Sequence, residues 1–468
     1  MSDAKSLAAS LPPGFIIGAA TAAFQIEGAV DEDGRGRSSW DEFTERPGAI
    51  IDSSDARVAT DHYHRYPEDV ALMRELGLDA YRFSLSWPRI QPGGSGPANP
   101  KGIAFYDRLL DELLEAGIRP MATLFHWDTP IELERKGGWR KRETAERFAE
   151  YARIAGEAFG DRVDSWVTLN EPATITLEGH ALDLHAPGLG KSLSVVPVSR
   201  NLLIGHGLAV QALRSVPVRG RIGITNVHTA VVPASDSPGD RAYAQLFDHL
   251  HNRIFADPVL LGRDAAVPRG TGALGAALRL LTRTRKRDLE LMSVPLDFYG
   301  LNYYFPTRVA AGPAPAGTGT PDGVSEAMDQ APFHLKPWPE FPQTGFGWPI
   351  APDHLGVVLA QLGERYGDRL PPVVITEGGA SFPDVPDADG RVDDQDRIDY
   401  LAAHIAVAAA GAPGVDVGGY FIWTLMDNFE WAAGYTQRFG IVHIDFDTLE
   451  RTPKASYAFV QQLLRHRT

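Results

Sequence analysis

The segment that decides the fold reads AYRFSL at 80–85, IAFYDRLLDELLEA at 103–116 and RPMATL at 119–124. The first and third pieces are short apolar runs, which are typical of buried strands. The middle piece has the length and the pattern of an amphipathic helix. A strand, a helix and a second strand in this order predict a βαβ unit with two parallel strands.

The same alternation continues along the whole chain. Strands are predicted at 15–20, 80–85, 119–124, 163–169, 221–225, 296–301, 373–376 and 417–422. Helices are predicted at 67–76, 103–116, 145–159, 196–213, 241–255, 353–365, 397–410 and 454–464. Eight such pairs predict an α/β protein in which residues 1–468 form a single (β/α)8 barrel domain. The alternative, an open doubly wound sheet, usually has a Gly-rich phosphate turn after an early strand, and residues 15–20 are not followed by one.

One connection is much longer than the others. Residues 311–349 follow the sixth predicted strand and are rich in Pro, Gly, Ala and polar residues. Long connections of this kind are usually functional or mobile. The segment contains five aromatic residues, namely Phe333, Trp338, Phe341, Phe346 and Trp348. They favour a rim over an active site, although a loop packed on its own aromatic residues explains them equally well.

Composition and charge exclude several classes of partner. The formal net charge is −15, whereas nucleic-acid and anionic-membrane surfaces need clustered Lys and Arg. The chain has no cysteine, which excludes disulfides, thiolate metal sites and cysteine nucleophiles and fits a reducing compartment. We find no secretory signal and no apolar stretch of transmembrane length, so we expect a cytoplasmic protein. A homo-oligomer is compatible with the sequence.

Unusual polar and aromatic residues follow the predicted strands. A β/α barrel places its active site at the C-terminal ends of the strands, where these side chains would meet. They are Gln25, Arg82, Trp87, His126, Trp127, Asn170, Glu171, Asn302, Tyr304, Glu377, Trp423 and the stretch 428–431. Each one alone has a structural explanation, but so many buried polar groups destabilise a fold unless they meet each other or a polar ligand.

Sugar transfer needs such a set of residues. Carboxylates and amides suit the hydroxyl groups of a sugar, and indole rings suit its apolar C–H face. Cleavage of a glycosidic bond needs two carboxyl groups flanking the anomeric carbon, and retention of configuration requires them to lie about 5–5.5 Å apart.

The motifs also resemble those of glycoside hydrolase family 1, the β-glucosidase family, over nearly the whole chain. The matching stretches are FIIGAATAAFQIEG at 15–28, YRFSLSWPRI at 81–90, TLFHWD at 123–128, TLNEP at 168–172, NYY at 302–304, ITEGG at 375–379 and NFEW at 428–431. The resemblance implies a retaining β-glycosidase that acts on small β-glycosides such as cellobiose or aryl and alkyl β-glucosides, with neither cofactor nor metal.

The resemblance also implies a role for each matching position. Glu171 would be the acid and then the base, and Glu377 the nucleophile. Asn170 would bind the 2-hydroxyl, and Arg82 and Tyr304 would hold Glu377 ionised. The remaining sugar contacts would come from Gln25, His126, Trp127, Asn302, Trp423, Glu430 and Trp431, with Trp348 lining the leaving-group side. Glu430 would repel a phosphate, so we expect an unphosphorylated sugar, with glucose first and galactose or fucose behind it.

Two positions depart from the family pattern. Gly378 follows the nucleophile where the family usually has Asn, which could loosen the strand end that carries Glu377. Ala173 stands where the family commonly has Trp, which would remove an aromatic wall from the leaving-group side. Neither change deletes a catalytic group.

Three alternatives stay open from the sequence. The same site could transfer the sugar to an alcohol or to a second sugar instead of water. A catalytically silent sugar-binding barrel would have lost one carboxylate, and this chain keeps both. A metal-dependent hydrolase is disfavoured because His126 and His180 have no partner at the usual ligand spacing, so activity should be insensitive to chelators.

Overall fold

The computed structural model describes residues 3–315, 328 and 331–467. Eight parallel strands pair in sequence order and close into a barrel, which confirms the predicted fold. The strands are β1 Ile16–Ala20, β2 Ala80–Ser84, β3 Arg119–Phe125, β4 Ser165–Asn170, β5 Arg221–Val227, β6 Phe298–Asn302, β7 Val373–Gly378 and β8 Val417–Trp423. All of these bounds lie within two residues of the predicted ones.

A helix follows each strand and packs outside the barrel. The helices are α1 His62–Leu76, α2 Pro100–Glu115, α3 Arg142–Phe159, α4 Val195–Arg214, α5 Pro238–Asp248, α6 Asp353–Tyr366, α7 Gln395–Ala410 and α8 Ala455–Arg465. In α2, the Asn99 side chain caps the first turn, Pro100 occupies the first helical position, and Phe105 and Leu113 are fully buried.

The fifth helix differs from its prediction. The pattern at 241–255 predicts one continuous helix, but α5 ends at Asp248, a wider π-helical turn follows at His249–Arg253, and a separate helix runs over Ile254–Leu261. The apolar periodicity continues through the turn, so the sequence does not reveal the change of helical geometry.

The remaining elements lie before β1 and in the connections between the barrel strands and helices. Short helices or helical turns lie at Ala4–Ser10, Ala23–Ile26, Ser39–Thr44, Trp87–Ile90, Ile131–Arg135, Gly138–Arg140, Pro172–Thr174, Ile175–Ala181, Ser192–Ser194, Gly272–Leu281, Lys286–Met292, Gly367–Arg369 and Trp431–Ala433. Val231–Pro233, Thr307–Ala311 and Phe333–Lys336 form a three-stranded sheet, and Val442–Ile444 pairs with Arg451–Pro453.

The long connection after β6 forms part of the rim, as predicted. Of its aromatic residues, Phe333, Trp338, Phe346 and Trp348 line the cavity above the barrel. They also pack on one another, since the Phe346 and Trp348 rings stack with centroids 4.6 Å apart. Both explanations of these aromatic residues are therefore correct, and part of the segment lies outside the described residues.

The apolar core fills the barrel and the layer between strands and helices. β2 and β4 are buried along their whole length, as expected for parallel strands covered on both faces. Trp87, predicted at a strand end, lies in this layer, where its ring stacks on Tyr151. None of the helices in the described part of the chain has the length and hydropathy needed to cross a bilayer.

Candidate active site

Two of the strands deliver carboxyl groups to one cavity of about 750 Å³ at the C-terminal end of the barrel. Glu171 directly follows β4 and Glu377 lies within β7, and both line this cavity. Each strand has a register shift in this region, between Val167 and Asn170 and between Ile375 and Glu377. Such irregularities redirect side chains and occur frequently beside active sites.

Glu377 is buried between a cation and a hydroxyl group. The Arg82 guanidinium donates to its Oε1, and the Tyr304 hydroxyl donates to its Oε2 over 2.7 Å. Arg82 is fully buried and also donates to the Asn170 side chain over 2.7 Å. Both carboxyl oxygens of Glu377 are therefore held in place by hydrogen-bond donors, one of which is a cation, as a nucleophilic carboxylate needs.

Glu171 has a different environment. Its carboxyl oxygens accept hydrogen bonds of 2.7 Å from the Asn302 amide and from the Thr174 hydroxyl. Burial, and secondarily the negative charge of Glu377, raise the pKa of Glu171 to about 7. A carboxylic acid that keeps its proton near neutral pH can act as a general acid.

A hydrogen-bond network connects the two carboxyl groups. Asn302 donates to Asn170 as well as to Glu171 and accepts a 2.7 Å bond from the Thr376 hydroxyl. The Asn170 amide donates to His126 Nε2 over 2.9 Å. Because Arg82 binds both Asn170 and Glu377, the network fixes the position of each carboxyl group relative to the other.

A second polar group lies on the side of β1 and β8. Gln25 donates to the Asn428 side chain, to the Phe429 carbonyl and, over 3.4 Å, to Glu430. Burial and the nearby Glu377 raise the pKa of Glu430 to about 8. Within the described residues, Gln25 Oε1 and His126 Nδ1 are buried without a hydrogen-bond partner. Unpaired buried groups that surround a cavity are suited to the hydroxyls of a bound ligand.

Aromatic rings form the wall around these groups. Trp127 and Trp431 lie with ring centroids 4.4 Å apart, and His126 stacks between Trp431 and Trp423 at 5.9 and 5.8 Å. Trp348 stands on the other side, 5.7 Å from the Tyr304 ring. Flat apolar faces beside convergent polar groups suit a sugar ring.

Apart from Trp87, which packs in the apolar layer against Tyr151, the structure brings the residues predicted for the site together. Nine of them line the cavity: His126, Trp127, Glu171, Tyr304, Trp348, Glu377, Trp423, Glu430 and Trp431. Arg82, Asn170, Asn302 and Gln25 lie behind these and hold them through the bonds described above.

Three contributors were not predicted from the sequence. Thr174 bonds to Glu171, Thr376 bonds to Asn302, and His185 packs against Trp127 at 5.6 Å. The spacing of Thr174 from Glu171, three residues across a helical turn, is a signal that would have found it. His185 comes from an insertion and had no such signal.

The two departures from the family pattern have different consequences. A Cβ atom at Gly378 would come within 2.2 Å of the Tyr420 hydroxyl, so the tyrosine occupies the space beside this glycine and leaves no gap there. Gly378 therefore does not leave the strand end loose. Ala173 is buried, and the cavity wall at this point is formed by Thr174 and Leu177.

The part of the chain that the structure describes contains no group of three or more His, Asp or Glu side chains that could hold a metal ion. The polar groups of the site instead bind one another, carboxyl to guanidinium, hydroxyl and amide.

Comparisons with known proteins agree with this geometry. Residues 7–468 match the model of glycosyl hydrolase family 1. Beta-glucosidase A of Acetivibrio thermocellus is 41% identical over 98% of each chain, and the bifunctional beta-D-glucosidase/beta-D-fucosidase of Bifidobacterium breve is 39% identical over 97% of this chain and 98% of its own. The structure of a Thermotoga maritima beta-glucosidase in complex with deoxynojirimycin superposes with a TM-score of 0.89 at 40% identity, covering 97% of this chain and 98% of that one. The chain belongs to glycosyl hydrolase family 1, whose members are retaining glycosidases.

Proposed function

We propose that this chain is a retaining β-glucosidase in which Glu171 is the general acid and base and Glu377 is the nucleophile. The observation that carries the proposal is the contrast between two carboxyl groups in one cavity. Glu377 binds a guanidinium and a phenol, whereas burial beside Glu377 keeps a proton on Glu171. Opposite protonation states are what the two roles require.

The reaction proceeds in two displacements. Glu171 protonates the glycosidic oxygen while Glu377 attacks the anomeric carbon, and the aglycone leaves as an alcohol. Glu377 is then an uncharged ester, so the negative charge that helped to raise the pKa of Glu171 has gone. Glu171 becomes more acidic, takes a proton from water, and the hydroxide displaces Glu377. Two inversions give net retention.

The other groups of the site hold the sugar. Asn170, fixed by Arg82 and His126, binds the 2-hydroxyl, a contact that strengthens in the transition state. Two atoms without a protein partner bind further hydroxyls. Gln25 Oε1 accepts a hydrogen bond, and His126 Nδ1 donates one, since His126 Nε2 already accepts from Asn170. Trp423 packs on the apolar face of the ring, and Glu430 binds the hydroxyls at its far end.

The preferred sugar is unphosphorylated glucose. A phosphate beside Glu430 would lie close to the negative charge of Glu377, which already helps to raise the pKa of Glu430 and would repel the phosphate in the same way. Fucosides and galactosides are the next most favoured substrates. The Bifidobacterium breve relative, which is named a beta-D-glucosidase and beta-D-fucosidase, supports the choice of fucose. Action on cellobiose, a cytoplasmic location, assembly into a homo-oligomer and a single catalytic domain over residues 1–468 stay predictions.

Hydrolysis of aryl β-glycosides by the wild type and by Glu377→Ala tests the nucleophile. We expect the wild type to cleave the glucoside fastest, with a product of retained configuration by NMR. Glu377→Ala should be inactive, and azide should rescue it with an α-glycosyl azide as product. Wild-type inactivity on the whole panel, or an equally active variant, would contradict the mechanism.

Glu171→Ala tests the acid. Removal of a general acid typically lowers the rate by about 10²–10⁴-fold. The loss in Glu171→Ala should be largest for poor leaving groups, which depend on protonation, and smallest for dinitrophenyl glucosides. An equal loss across the leaving-group series would show that Glu171 is not the acid.

A further inference from the structure

The cavity continues past the two carboxyl groups into a second compartment, here called the apolar lobe. Its wall includes Leu177, Val195, Leu250, Leu274, Leu278 and Phe333. These residues come from the insertions that follow β4, β5 and β6, outside the barrel itself. The whole cavity, about 750 Å³, lies in the range that encloses a drug-sized ligand and exceeds what one sugar ring fills.

The apolar lobe differs chemically from the sugar end. The sugar end presents carboxyl, amide and imidazole groups. The rest of the cavity lining is mainly aliphatic and aromatic, although it also includes Glu178, His251, Arg308 and Lys336. Leu278 and Phe333 belong to a small hydrophobic cluster that also contains Leu246 and is separate from the barrel core. The hydroxyls of a second sugar would lose their bonds to water against this wall, which is unfavourable.

The lobe also leaves apolar surface exposed on one helix. In Gly272–Leu281, Leu274 is 37% exposed and Leu281 is 46% exposed, and both line the cavity. An apolar ligand in the lobe would cover this surface and so gain binding energy from it.

We propose that the apolar lobe binds the aglycone, and that the preferred substrates are β-glucosides of long alkyl or similarly bulky apolar alcohols, not cellobiose. The lobe is positioned for this group because it begins beside Glu171, which protonates the bond to the aglycone, and continues along Leu177 on the next helical turn. This inference rests on the proposed β-glucosidase activity and specifies its substrate class.

A series of n-alkyl β-glucosides from methyl to octyl, below their micelle concentrations, tests the proposal. These alcohols are similar leaving groups, so the series reports mainly on binding of the chain. Full burial of one methylene group strengthens binding roughly fourfold. We therefore expect kcat/KM to rise at least about a hundredfold from methyl to octyl β-glucoside. Octyl β-glucoside should also exceed cellobiose. A flat series, or a faster reaction with cellobiose, would overturn the proposal, whereas failure to cleave any β-glucoside would instead overturn the proposed function.

Two matched substitutions on one helix test whether the alkyl chain binds in the apolar lobe. Ala277 lines the lobe, whereas Leu280 is 79% exposed and is not among the residues that line the cavity. Ala277→Trp should lower the octyl-to-methyl ratio of kcat/KM at least about tenfold by filling the lobe, and Leu280→Trp should keep the wild-type ratio. If Ala277→Trp does not fold, Leu274→Glu, which places a charge against the chain, should lower the same ratio. Equal ratios in the wild type and in a folded lobe variant would refute the assignment.

Discussion

At the scale of single residues, the proton on Glu171 controls the pH dependence of catalysis. Its pKa is raised to about 7, so the acid form persists from low pH up to neutrality and is lost above it. We expect kcat/KM for an alkyl glucoside to fall as the pH rises through about 7, with this limb absent in Glu171→Ala. A decline that begins near pH 4 or 5 would place the proton on another group.

The contribution of Glu377 to that pKa can be measured directly. Removing its charge in Glu377→Gln should lower the pKa of Glu171, because the nearby carboxylate is one cause of the increase. Carboxyl ¹³C NMR titration of the wild type and the variant would follow this change. Glu364→Gln, which removes a carboxylate from the exposed face of α6, is the control and should leave the pKa of Glu171 unaltered.

Gly378 and Tyr420 act as a matched pair. The tyrosine hydroxyl lies where a side chain at position 378 would have to begin, so Gly378→Asn alone should overpack the strand end. Overpacking typically destabilises by about 1–3 kcal/mol and would shift Glu377, so both the melting temperature and kcat should fall. The double variant Gly378→Asn with Tyr420→Val should recover both, as measured by calorimetry and kinetics. Additive losses in the double variant would show that the two positions are independent.

At the scale of secondary structure elements, the barrel strands were predictable because buried parallel strands produce short apolar runs. The polar residues at the strand ends were also predictable, because stretches such as 302–304 and 428–431 stand out against the apolar runs that precede them. The register shifts in β4 and β7 were not predictable, because an irregular strand has the same pattern of apolar and polar residues as a regular one. The apolar lobe was also missed, since its leucines look like ordinary core residues until the insertions are placed in space.

A buried ion cluster holds the loops after β7 and β8 against α8. Lys454 donates to Asp427 over 2.8 Å and to Asp384 over 2.5 Å, and all three side chains are buried. Asp427 directly precedes the 428–431 stretch that carries Glu430. The cluster therefore supports the part of the site that binds the far end of the sugar.

Lys454→Met should be destabilising because it removes one of the two cations that each buried carboxylate has, leaving Asp384 with Arg397 and Asp427 with Arg438. Breaking a buried ion pair from one side typically lowers stability by about 3–5 kcal/mol, equivalent to about 3–5 °C in a chain of this size. Lys101→Met is a matched control, since Lys101 is 70% exposed in its pair with Asp33 and such pairs contribute little. Similar melting temperatures for the two variants would contradict a structural role of the cluster.

At the scale of the whole molecule, the site is assembled from strands that are far apart in sequence. Gln25 and Glu430 are joined across 405 positions, and Arg82 and Glu377 across 295. The barrel closure that places β1 beside β8 is what brings such residues together. A sugar that contacts groups after β1, β3, β4, β7 and β8 should therefore stabilise the closed barrel against global unfolding.

Deoxynojirimycin, found with the Thermotoga maritima relative, can test this coupling. A ligand at 100 times its dissociation constant stabilises the folded state by about 2.7 kcal/mol, which in a chain of this size is about 3 °C in melting temperature. We expect that increase in the wild type. At the same concentration it should be smaller in Gln25→Ala, because loss of the Gln25 side chain removes a proposed sugar contact and so raises the dissociation constant. An equal rise in melting temperature in the wild type and in Gln25→Ala would mean that Gln25 takes no part in binding this ligand.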